Sequence, residues 1–393
     1  MLQDDLLERF LRYVKIHTTS DSTQADKGIQ PSTERQRDFA EILKTELLSL
    51  GIKDVMITDH AYVCARIPAA SGYEKVSPVG FLAHMDTVEE VSGLNVNPQL
   101  EKTESGDTII RTDGTTLLGA DDKAGIAEIM TAVATILGKT EGYDAIQHGQ
   151  VEIIFSPDEE TGHGMDNVPL DWIKSKACYT VDGGSESEIE AECFNAFKSE
   201  IQITGIATHT GTARGKMINA ASVAANFLSQ LPRNESPEAT DGYQGFYAPM
   251  EISGTIEKAS LTVFLRDFTN DGMKQRIATI DAIAESLRQQ FYGVKIEVKH
   301  TQQYLNMKEK LDKVPEVTDD LVQAVKRAGS EAVFKPIRGG TDGSRLTELG
   351  IPTPNIFTGG HEFHSRNEWA SLKEMTQACK TIIELIKIRS EKL

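Results

Sequence analysis

Three short apolar runs in this chain each lead straight into residues that can carry charge or hold a cation. The run at 79–83 (VGFLA) precedes His84 and Asp86, that at 151–156 (VEIIFS) precedes Glu159 and Glu160, and that at 177–182 (ACYTVD) ends on Asp182. Short apolar runs bounded by turn residues read as buried strands. A helical pattern at 123–137 (KAGIAEIMTAVATIL) separates the first two. Strands that alternate with helices give an α/β unit with a largely parallel sheet, and such sheets bind ligands beyond the carboxyl ends of their strands. The sequence therefore predicts an α/β fold that delivers His, Asp and Glu to one edge.

The remaining pattern extends this unit and interrupts it once. Helices are expected at 2–16 and 33–50, with a strand at 61–67. Near 195 the character changes: strand 198–205, helix 218–231, strands 246–256 and 259–267, helix 271–291 and strand 294–300 follow in the order β-α-β-β-α-β, a ferredoxin-like unit. Helix 316–329, strands 333–337 and 353–357, and helix 371–388 then return to α/β character. We expect a catalytic α/β domain over 1–194 and 307–393, with an inserted βαββαβ domain over 195–306.

The formal charge of −18 argues against a nucleic-acid or anionic-membrane surface, either of which needs clustered Lys and Arg. No apolar run is long enough to span a bilayer, and the amphipathic N-terminus is no signal peptide. The four cysteines, Cys64, Cys178, Cys193 and Cys379, are scattered and form no CxxC. That fits buried thiols in a reducing compartment, so a cytoplasmic enzyme is expected.

Five positions carry the candidate chemistry: His84 and Asp86, Asp121 and Asp122 at a helix start, Glu159 and Glu160, Asp182, and His364 in GGHEFHSRNE. Each has a bland reading, as loop salt bridge, helix N-cap, solvated loop or turn. Gathered in one crevice, however, so many acids would repel one another unless cations neutralised them.

These residues sit in a series of segments that resembles the M20 metallopeptidase family, nearest its tripeptide-cleaving aminopeptidases. The segments are HMDT at 84–87, TDGTTLLGADDKAGIAEIMTA at 112–132, PDEETG at 157–162, YTVDGG at 179–184, FNAF at 194–197, THTGTARGKMINA at 208–220, DGYQGFY at 241–247, LRDF at 265–268, PIRGGTDGSRL at 336–346, PNIFTGG at 354–360 and HSRNE at 364–368. The resemblance implies two zinc ions per subunit. His84, Asp121 and Asp182 would hold one, and Asp121, Glu160 and His364 the other, with a water-derived hydroxide between them. Asp86 would fix the tautomer of His84, and Glu159 would be the general base. The bond between Asp121 and Asp122 would be cis. The inserted domain would act as a lid: His209 would stabilise the oxyanion, Arg266 and Arg338 would clamp the substrate carboxylate, and Asn219 would add a polar contact. Short peptides are the expected substrates, and a homodimer paired through the lid sheet is expected.

Two departures stand out: the segment 95–112 is short, and His361 is an additional imidazole near His364. His163 also lies close to the PDEETG turn. Cobalt or manganese would suit the same donors. A dipeptidase or N-acyl amino acid amidohydrolase of the same family is the alternative activity. A metal-binding protein without catalysis is the alternative of another class, although Glu159 is in place to serve as base.

Overall fold

A computed structural model describes residues 1–392. Proximity divides the chain into two compact units, one of Met1–Ala191, Met307–Lys335 and the segment from Thr341 onward, the other of Glu192–Asn306 with Pro336–Gly340.

The first unit is built on an eight-stranded sheet. Its strands run, in spatial order, Asp54–Ile57, Val63–Ile67, Val151–Ser156, Val79–His84, Cys178–Gly183, Asn355–Phe357, Glu188–Glu190 and Val333–Phe334. The central four are mutually parallel, with antiparallel pairings towards both margins. The register pairs His84 with Ser156 and Leu82 with Thr180, so His84, the turn after Ser156 and Asp182 emerge along one edge. The helix Ala120–Ile136 is apolar around nearly its whole circumference, so it lies buried between the sheet and the helices Leu2–Tyr13 and Leu372–Ser390. Its Gly125 is required: a Cβ there would sit 1.9 Å from the Val181 carbonyl. The opposite face packs Cys64, Leu82, Ile154 and Cys178 against Met165 and Leu346. All four cysteines are free and buried.

A second, small antiparallel sheet lies outside the elements that the sequence pattern predicts. It joins Gln99–Lys102 and Thr108–Arg111, from the shortened 95–112 region, to Trp369–Ser371 and Gly360–His361. Strands of two to four residues show too little alternation to be recognised. Among the described residues no helix is long and apolar enough to cross a membrane.

The second unit carries the four-stranded antiparallel sheet Phe246–Gly254, Lys258–Asp267, Asn195–Thr204, Lys295–Tyr304 in that spatial order. Ile201, Ile203, Leu261, Val263 and Leu265 form one apolar face. They pack against Val223 and Phe227 of the helix Ala220–Ser229, and against Ile280, Ala284 and Leu287 of Asn270–Gln290. This is the expected ferredoxin-like order. The segment Pro336–Gly340 belongs here through pairing of Cys193 with Ile337 and through Arg338.

Candidate metal centre

The bend at the start of the helix Ala120–Ile136 decides where its acids point. Asp121 (φ −82°, ψ 104°) and Asp122 (φ −120°, ψ 39°) are not helical, and the bond between them is cis. The two carboxylates face different partners. Asp122 turns inward, where its oxygens accept the backbone N–H groups of His84 and Gly125, each at 3.1 Å. Asp121 turns outward between two imidazoles: Oδ1 lies 2.8 Å from His84 Nε2 and Oδ2 lies 3.1 Å from His364 Nε2.

The other sequence candidates complete this arrangement. Asp182 Oδ1 is 3.6 Å from His84 Nε2, and Glu160 Oε2 is 3.1 Å from His364 Nε2. Glu159 Oε2 stands 4.0 Å from His84 Nε2. Two three-donor groups result, His84 with Asp121 and Glu160, and His84 with Asp122 and Asp182. Asp122 enters the second by proximity, but both its oxygens are occupied by backbone N–H groups, so Asp121 is the better donor.

Asp86 does more than the sequence suggested. His84 Nδ1 is nearer the Asp86 backbone carbonyl (3.1 Å) than the carboxylate (3.4 Å). The carboxylate itself accepts the N–H of Glu159 at 3.0 Å and of Glu160 at 3.1 Å. It thus fastens the turn carrying both glutamates to the loop carrying His84. From beneath, Ser32 and Gln36 hold the buried Asp158 carboxylate of the same turn.

The electrostatics call for cations. Seven acids (Asp86, Asp121, Asp122, Glu159, Glu160, Asp182 and Asp342) crowd this edge, and among the described residues none forms a salt bridge with Lys or Arg. Burial, then the Asp121 charge, pushes Glu160 up to about 8. Burial takes Asp182 to about 6 and Glu159 well above the usual carboxylate range. Burial works against protonation of His364, yet Asp121 and Glu160 carry it up to about 11. Protons here substitute for missing positive charge. Glu160 Oε1 is buried without a hydrogen-bond partner, an orphaned acceptor that costs free energy unless a cation or donor meets it. Imidazole nitrogens and carboxylate oxygens are the donor set of zinc and related divalent ions, so the residues present fit such a group.

The remaining imidazoles near the edge are engaged elsewhere. His361 Nε2 bonds Glu374 at 3.0 Å and its ring stacks on Trp369 at 3.9 Å. His163 pairs with Asp166 at 2.6 Å and Asp26 at 3.4 Å.

The four expected substrate-binding residues lie in the second unit. His209 is exposed, and its Nδ1 accepts the Gly211 N–H at 3.1 Å, which leaves the proton on Nε2 as a donor. Asn219 caps the helix Ala220–Ser229, its side chain accepting from Ser222 N at 3.3 Å. Arg266 donates to Gln303 and to the Leu265 carbonyl, each at 3.0 Å. Its neighbour Asp267 pairs with Arg276 at 2.9 Å. Arg338 donates to the carbonyls of Gly242 (2.7 Å) and Gln244 (2.9 Å) and to Thr240 Oγ1 (2.9 Å), so it braces the loop 240–244.

Residues 80–388 match the model of peptidase family M20/M25/M40. The chain is 42% identical to peptidase T of Geobacillus thermodenitrificans over the full length of both. It is also 42% identical to peptidase T of Clostridium perfringens, covering 98% of this chain and 99% of that one. The aminopeptidase PepT from Bacillus cereus superposes with a TM-score of 0.80 at 23% identity, covering 99% of each chain. A dinuclear metal-binding M20 peptidase from Bacillus subtilis superposes with a TM-score of 0.71 at 16% identity, over 100% of this chain and 99% of that one; these two likenesses show the shared fold. With this coverage, the chain belongs to peptidase family M20/M25/M40 and is a metallopeptidase.

Proposed function

We propose that this metallopeptidase is a cytoplasmic, dizinc aminopeptidase that removes the N-terminal residue from short peptides, tripeptides above all. The observation that carries the metal reading is Asp121, whose two oxygens face two different imidazoles. His84 and Asp182 would share one cation with Asp121, and Glu160 and His364 the other. Once bound, the pair would polarise the scissile carbonyl and acidify a water.

The chain's own residues do the rest. Glu159 takes a proton from the attacking water and returns it to the leaving amine, work worth about 10²–10⁴-fold in rate. Asp86 holds Glu159 and Glu160 through their backbone N–H groups, so base and ligand keep a fixed separation. His209, whose Nε2 keeps its proton, would be the donor for the oxyanion. The peptide carboxylate would fall to Arg266 and Arg338, and Arg338 would have to exchange its bonds to Gly242, Gln244 and Thr240 for it. The aminopeptidase reading is supported by the peptidase T relatives together with the likeness to the aminopeptidase PepT. Pairing of two subunits through the second unit's sheet is part of the same proposal.

The test is hydrolysis of a free-amino tripeptide beside its N-acetylated form, a dipeptide and an acylated amino acid, with and without chelator. The tripeptide should be cleaved fastest and only in the presence of metal. Preference for the acylated amino acid would identify an amidohydrolase. Two bound cations without cleavage of any peptide would identify a non-catalytic binding protein.

A further inference from the structure

Glu368 is 2% exposed and belongs to the His364 loop, yet it touches none of the proposed ligands' side chains. Its Oε2 accepts the N–H groups of Leu118 and Gly119, both at 2.8 Å, and its Oε1 accepts the N–H of Asp121 at 3.1 Å. The stretch Leu118–Asp121 lies before the regular helix, because Asp121 and Asp122 are not helical, and Gly119 (φ 80°) has no side chain to offer. A carboxylate from about 250 residues away in sequence gives these buried N–H groups their partners.

The connection has a geometric consequence. His364 and Glu368 are four residues apart on one loop, and both grip the short stretch around Asp121: His364 at its carboxylate, Glu368 at its backbone. Asp121 departs from helical geometry and so cannot rely on the helix ladder to hold it. We propose that Glu368 is a positioning residue that fixes Asp121 against His364 and so sets the spacing of the second cation site. The proposal rests on the metal centre described above.

The substitution Glu368→Gln probes this with little change of shape. If the amide oxygen serves Leu118 and Gly119, its NH₂ faces the Asp121 N–H, donor against donor; the flipped amide opposes two N–H groups instead. Either way, in this buried place the Asp121 loop moves off its mark.

The experiment is a cobalt(II) titration of the chelator-stripped full chain, wild type and Glu368→Gln, followed by calorimetry and visible absorption. Melting of both metal-free proteins is measured alongside. Wild type should take two equivalents. In the variant the second equivalent should bind about 10–100-fold more weakly, the range seen when a group supporting a ligand is lost, while the first changes less than about threefold. Lost turnover should return with excess cobalt, and the metal-free melting temperature should stay within a few degrees. Wild type taking fewer than two equivalents would remove the metal centre itself and the clamp with it. Two equivalents in wild type with an indistinguishable variant would remove the clamp alone. A variant that does not fold, or whose two sites weaken together, would make Glu368 a brace of the whole unit and overturn the proposal.

Discussion

The substitution Asp86→Asn separates two ways in which Asp86 can serve the site. Its carboxylate accepts one N–H on each oxygen, from Glu159 and Glu160, and is fully buried. An asparagine keeps one oxygen, so one of these N–H groups must face an amide donor. A buried polar group left without its partner costs about 1–3 kcal/mol. If that cost falls on the placement of Glu159 at the transition state, it corresponds to a loss of roughly 5–150-fold in kcat, at about 1.4 kcal/mol per factor of ten. His84 loses little, because its Nδ1 has the Asp86 backbone carbonyl at 3.1 Å, untouched by the substitution. The assay is steady-state kinetics on a free-amino tripeptide at saturating zinc, alongside zinc affinity by competition with a chromophoric chelator. We expect kcat at saturating zinc to fall within that range, with any loss of zinc affinity running through Glu160, whose N–H Asp86 also holds. Wild-type kcat at saturating metal would refute the reasoning, because the placement of Glu159 would then not depend on Asp86.

Glu159→Gln should retain both cations by elemental analysis and lose about 10²–10⁴-fold in kcat; retained turnover would remove the base assignment. His361→Gln should keep two bound cations and change kcat by less than about threefold, since His361 is spent on Glu374 and Trp369 and no ligand is lost. Loss of a cation there would show that His361 belongs to the metal centre. Glu46→Gln probes stability away from the site. Burial raises the Glu46 pKa, but hydrogen bonds from Tyr13 and Arg12 outweigh it and the net shift is downward. Stability from a depressed carboxylate is present above its unfolded pKa of about 4.3 and is lost as pH falls through the folded value. The variant should therefore be less stable at pH 7 by about 1–3 kcal/mol in urea unfolding, with the gap closing below about pH 4; a gap that widens in acid would contradict this.

What the sequence made legible were features with a local signature. Apolar runs ending in His84 or Asp182 mark strands and sites together, because one residue lies both at a strand end and beside the crevice. The β-α-β-β-α-β order is readable because strands such as Lys258–Asp267 alternate. Partners of backbone N–H groups have no such signature. Nothing in HSRNE indicates that Glu368 reaches Leu118, Gly119 and Asp121, and nothing in HMD indicates that Asp86 holds the following glutamate turn. Asn219 shows the converse. Its position before AASVAANFLS is a plain helix-cap signal, and the structure gives it that contact. Arg338 was legible as a cation but not as a brace, since its acceptors are main-chain carbonyls of a loop about a hundred residues earlier.

The central claim is that Asp121 is shared by two neighbouring cations. Anomalous diffraction at the zinc edge from zinc-loaded crystals tests it directly. The account predicts two peaks about 3.5–4 Å apart, one beside His84 and Asp182, the other beside Glu160 and His364, with one Asp121 oxygen on each. A single peak, or two peaks that do not share Asp121, would contradict it.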